Sequence, residues 1–146
     1  MTRVEIAGGI ALLTFEQEGA KLNVIGEAFL AELRAALERL ATDATVRAVV
    51  LLSGKPGCFL AGADLKAMRA LQTAPDPAAR GEAVSRMGHA FMNFLEDFPK
   101  PVAAAIGGVC LGGGTELALA CRWRIAADDA ATRLALPEVK LGILPG

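Results

Sequence analysis

The sequence switches repeatedly between two hydrophobic periods, and this alternation limits the available folds. Arg47-Ala-Val-Val-Leu-Leu-Ser53 and Val102-Ala-Ala-Ala-Ile106 are short apolar runs that read as buried strands. Elsewhere the period lengthens. Phe29, Leu33, Leu37 and Leu40 line one face of a helix from Gly26 to Ala41, and Met87, Phe91, Phe94, Leu95 and Phe98 fall at helical spacing between Ala78 and Phe98. Stripes of this kind are core-facing.

The intervening segments supply turns and caps. Val4 to Ile6 and Ile10 to Phe15 flank Gly8-Gly9, the pattern of a hairpin. Gly54 to Gly62 reads as a loop, and Asp64 as the N-cap of a short helix toward Leu71. Thr73 to Pro77 is a breaker cluster, and Pro99-Lys100-Pro101 ends the long helix. Gly112 to Gly114 lead into a helix, Thr115 to Ala120. Ile125 to Ala127 and Thr132 to Leu136 are short strands around the Asp128-Asp129 turn. Strand–helix alternation predicts a single α/β domain over residues 1–146, with no repeat evident in the sequence.

Composition excludes several functions. The 146 residues are 53% hydrophobic and 21% charged, enough for one core and unlike a disordered tail. Fifteen basic and sixteen acidic residues give a net charge of -1, which offers no electrostatic footprint for nucleic acid or an anionic membrane. The longest uncharged run, Pro101 to Thr115, holds five glycines and is short for a membrane span. Met1 to Gly9 has no signal-peptide apolar block. Cys58, Cys110 and Cys121 form no C-x-x-C pair; three buried thiols in a reducing cytoplasm are expected.

Two segments carry chemistry. In Cys110-Leu-Gly-Gly-Gly-Thr-Glu-Leu-Ala-Leu-Ala-Cys121, glycines let backbone approach a ligand, and a helix start presents unpaired N–H groups to negative charge. Glu116 lies in the first helical turn. The same arrangement serves equally as a tight turn with a dipole-compensating glutamate, and the segment alone does not choose. In Leu136-Pro-Glu-Val-Lys-Leu-Gly-Ile-Leu-Pro-Gly146, Glu138 sits among apolar residues; the alternative is a surface loop with Lys140 as its ion-pair partner. Two glutamates beside a glycine-built anion site suit acid–base work on a carbonyl compound. His89 is the sole histidine and lies in the aromatic-striped helix without a nucleophile motif, which reads as a structural or surface role and disfavours a Ser-His-Asp hydrolase. No ligand cluster suggests a metal, and the glycine run lacks a P-loop ending.

Phe59-Leu-Ala-Gly-Ala-Asp-Leu-Lys66, Lys100-Pro-Val-Ala-Ala-Ala-Ile106, Leu111-Gly-Gly-Gly-Thr-Glu116 and Leu136 to Gly146 resemble, in order and spacing, the successive signatures of the crotonase (enoyl-CoA hydratase/isomerase) family. The likeness covers essentially the whole chain, and its wording is most similar to the hydratase domain of multifunctional fatty-acid oxidation subunits. The resemblance implies an α/β fold of repeated ββα turns, assembled as trimers or pairs of trimers or carried in a multifunctional β-oxidation complex. The family pattern runs beyond Gly146, so the domain is expected to be C-terminally incomplete here, with apolar surface uncovered.

The resemblance also implies an acyl-CoA substrate, coenzyme A being part of that substrate and no separate cofactor being needed. Glu116 and Glu138 match the family's paired catalytic glutamates, and the backbone N–H groups of Ala63 and Gly113 match its oxyanion hole. Coenzyme A is expected along Ala61 to Lys66, with Ala61 meeting the adenine through its backbone. Lys66 and Lys21 are either phosphate neighbours or solvated surface charges. Hydration of a trans-2-enoyl-CoA is the leading activity; double-bond isomerisation, another crotonase activity, and silent acyl-CoA binding are the alternatives.

Overall fold

A computed structural model describes all of residues 1–146. The chain opens with an antiparallel hairpin, β1 (Thr2–Ala7) and β2 (Ile10–Phe15). Helix α1 (Glu27–Thr42) returns the chain to β3 (Ala48–Ser53) and β4 (Cys58–Leu60). Helices α2 (Leu65–Gln72) and α3 (Pro77–Glu96) follow, then β5 (Val102–Ile106), β6 (Val109–Leu111) and α4 (Gly113–Ala120). The last turn holds β7 (Trp123–Ala126), β8 (Arg133–Ala135) and a 3-10 turn at Glu138–Leu141.

These elements repeat as two strands followed by helix. The first strand of each later pair joins a five-stranded sheet in the order β1-β2-β3-β5-β7, and the second joins a three-stranded sheet, β4-β6-β8. Every pairing except the opening hairpin is parallel. The chain therefore winds as a ββα spiral, an architecture that the alternation of periods anticipated only as α/β. β4 falls inside the expected Gly54–Gly62 loop, and β6 was not expected at all. Each has only three residues, and each pairs with strands distant in sequence, so neither leaves a local periodic trace.

Both sheets meet at Phe15. Its ring is fully buried and packs edge-on against Phe29 of α1 and Phe59 of β4, at centroid distances of 5.4 and 5.3 Å. Edge-to-face contacts of this kind add to area burial. From α3, Phe91 and Leu95 are buried in the same cluster, with Met87 and Phe94 packed against it. Lys100 acts as a helix cap, its Nζ donating to Leu40 O and Asp43 O, each at 2.6 Å. It thereby satisfies carbonyls at the α1 C-terminus that the helix leaves without partners. The three cysteines are free and buried, as expected. No helix is long and apolar enough to cross a membrane.

Candidate active site

In a parallel sheet all strands end on the same side, and the loops that leave them converge there. The three-stranded sheet does this at Ala61–Ala63 after β4, at Gly112–Gly113 after β6, and at Leu136–Glu138 after β8. These segments hold four of the expected site residues, and geometry brings them together. A Cβ built on Gly112 would lie 2.7 Å from Glu138 Oε1 and 3.9 Å from Gly62 Cα. One built on Gly113 would lie 3.7 Å from Glu116 Oε2.

The start of α4 is fixed from both sides. Thr115 Oγ1 lies 2.8 Å from Cys110 O and 2.9 Å from Ala135 O, and Gly112 N donates to Ala135 O at 2.9 Å. A side chain at Gly114 would collide with Leu60 O, so α4 can approach β4 this closely only through glycine. The first intrahelical bonds are made by Thr115 and Glu116, both to Gly112 O. The preceding N–H groups, those of Gly113 and Gly114, have no place in the helical ladder.

The Ala63 N–H is left free of the ladder for a different reason. Ile25 brackets Ala63 as in a parallel ladder: Ile25 N donates to Gly62 O at 2.7 Å, and Asp64 N donates to Ile25 O at 2.9 Å. The bracketed residue's own N–H then points away from Ile25. Asp64 caps α2 as expected, accepting from Lys66 N and Ala67 N.

Glu138 is the buried member of the pair. Only 7% of its surface is exposed, and Oε2 has no hydrogen-bond partner. Lys140 is exposed and forms no ion pair with it, which sets aside the surface-loop alternative. A buried carboxylate oxygen without a partner calls for a functional explanation. Glu116 is half-buried on α4, and Gly146 N donates to its Oε1 at 2.6 Å. A Cβ at Gly146 would stand 3.1 Å from His89 Nε2 and 3.5 Å from Glu116 Oε2. His89, read from the sequence as structural or surface, is exposed on α3 and also reaches the edge of this site; sequence alone carries no sign of that.

The other expected residues are placed less closely. Ala61 is half-buried and its N–H donates to Asn23 O at 2.8 Å, so its carbonyl is the backbone group left for a ligand. Lys66 and Lys21 are exposed. A concavity lined by Leu95, Phe98, Lys100, Leu119 and Arg124 includes neither glutamate. Asn23 is a residue that sequence reading missed. It is completely buried, and a lone amide in the apolar run Leu22-Asn23-Val24-Ile25 was the available signal.

The site sets two carboxylates, Glu138 buried and Glu116 half-buried, beside a glycine-lined notch. The enoyl-CoA hydratase/isomerase family model matches residues 5–146. The chain belongs to that crotonase family. It is 44% identical over 138 residues to the fatty acid oxidation complex subunit alpha of Idiomarina loihiensis and 46% identical to that of Shewanella oneidensis, covering 94% of this chain and 19% of each relative. The enoyl-CoA hydratase structure from Bacillus anthracis superposes with a TM-score of 0.84 at 38% identity, covering 99% of this chain and 54% of that one. The chain thus spans about half the length of that solved relative and about a fifth of the two curated ones.

Proposed function

We propose that this chain carries the acid–base centre for adding water to a trans-2-enoyl-CoA thioester. The observation that carries this reading is the buried, unpartnered Glu138 carboxylate beside a glycine-lined notch that also holds Glu116. Glu116 removes a proton from water as the water oxygen bonds to C3. The C2=C3 electron pair moves toward the thioester, whose oxygen gains charge and takes hydrogen bonds from Ala63 N–H and Gly113 N–H. Glu138 delivers a proton to C2, giving the 3-hydroxyacyl-CoA. Each N–H donor is worth about 2.7–4 kcal/mol to such a transition state.

The adenine end of coenzyme A lies along the Ala61 carbonyl and α2, with Lys66 and Lys21 as candidate phosphate neighbours. The name shared by the two curated relatives supports a place in a fatty acid oxidation complex. The buried Glu138 also suits proton shuttling between C2 and C4, so isomerisation of a 3-enoyl-CoA is the second reading.

Turnover in water enriched with heavy oxygen separates the two. With crotonyl-CoA, the full chain should place the label at C3 of the product. Isomerisation of a 3-enoyl-CoA would instead yield unlabelled 2-enoyl product. Binding without turnover of either substrate would leave only acyl-CoA recognition and contradict the proposal.

A further inference from the structure

Asn23 lies outside the notch, yet its bonds converge on the strut behind both N–H donors. Its Oδ1 accepts from Gln17 N at 2.9 Å. Its Nδ2 is shared among Ser53 Oγ at 2.9 Å, Phe15 O at 3.4 Å and Phe59 O at 3.5 Å. One amide thus joins the ends of β2 and β3 to β4, and Ser53 Oγ extends the network by donating to Cys58 O at 2.5 Å. The Asn23 carbonyl accepts from Ala61 N, and two residues on, Ile25 brackets Ala63. The Ile25 side chain also reaches Gly113: its Cδ1 stands 2.9 Å from where a Cβ there would be. Residues 23–25 therefore touch both donor positions, one through backbone and one through a side chain.

We infer that Asn23 is a positioning residue: its buried amide sets the aim of the Ala63 and Gly113 N–H groups at the thioester oxygen. A purely apolar residue would fill the space but release Gln17 N, Phe59 O and Ser53 Oγ together. In a buried network the satisfied members rigidify one another, and donor placement within a fraction of an ångström governs stabilisation of charge that develops only in the transition state. This inference rests on the reading of Ala63 and Gly113 as the oxyanion donors.

The test uses the full chain and a conjugated aromatic enoyl-CoA whose absorbance moves to longer wavelength when its carbonyl is polarised. Asn23→Ala should reduce that shift and lower kcat per ligand-binding site for crotonyl-CoA by about 10–10²-fold, with KM changed by less than about threefold. Ser53→Ala should act in the same direction more weakly, and it decides the matter if Asn23→Ala does not fold. Leu37→Ala, remote in the core, should lose stability without either change. A wild-type shift and wild-type kcat in folded Asn23→Ala, or in Ser53→Ala should Asn23→Ala not fold, would overturn the inference. If the wild-type protein itself shows no shift, the oxyanion reading fails and takes this inference with it. If the wild type shows the shift and Asn23→Ala keeps it, only the role of Asn23 fails.

Discussion

Glu138 Oε1 and the α-carbon of Gly112 occupy adjoining space so tightly that a Cβ on Gly112 would stand 2.7 Å from the carboxylate oxygen. Gly112 also has a φ of 52°, a conformation side chains rarely adopt. Gly112→Ala should therefore displace the carboxylate and strain the turn. The expected outcome is about 1–3 kcal/mol lost in denaturant unfolding and a kcat lowered by about 10²-fold. An alanine variant with unchanged kinetics would mean that Glu138 need not sit where the structure puts it.

The core makes a separate prediction. Phe15 bridges both sheets and α1, so Phe15→Ala should cost about 3–5 kcal/mol in urea unfolding. Phe15→Leu, which keeps most of the volume, should cost visibly less. Equal losses would argue that the ring contacts to Phe29 and Phe59 contribute little.

Lys100 is a cap, and its removal should show as one. Lys100→Met retains the aliphatic stem but removes the Nζ donor from Leu40 O and from Asp43 O, the latter keeping its bond from Val46 N. A loss of about 1–3 kcal/mol is expected, with kcat of the folded fraction unchanged. A large kinetic effect at full stability would point instead to a role in the reaction.

Cys121 predicts an alkaline dependence. Burial pushes its thiol from an ordinary 9.0 up to about 12. The unfolded chain therefore sheds this proton at lower pH than the folded one, and stability falls as pH rises from 9 toward 12. Below that window the contribution is flat. Unfolding curves across this range should slope downward in the wild type and less so in Cys121→Ala; parallel slopes would contradict the burial argument.

Much of this fold was legible because it follows local periodicity. The Gly8-Gly9 hairpin, α1 and the strands β3 and β5 all carry their pattern in adjacent residues. Cys58–Leu60 and Val109–Leu111 do not, since their strand character comes from parallel partners far along the chain. For the site, the glycine run and Glu116 marked a glycine-led helix start, but not that Glu138 would lie against it. The burial of Glu138 could not be read locally, because it depends on the β8 loop meeting the β6 loop; the family signature supplied only its expected catalytic role. The nearness of His89 to Glu116 depends on how α3 crosses the start of α4, and no short segment encodes that crossing.

Steady-state hydration of crotonyl-CoA by Glu116→Gln and Glu138→Gln in the full chain tests the central claim most directly. Glutamine keeps size and hydrogen bonding while removing the titratable proton. Each variant should fold normally and lower kcat by at least ~10²-fold, with KM little changed. If both groups act on one water and one enoyl unit, as proposed, the double variant should lose less than the product of the single losses. Wild-type hydration in either folded single variant would show that these two carboxylates are not the acid–base pair.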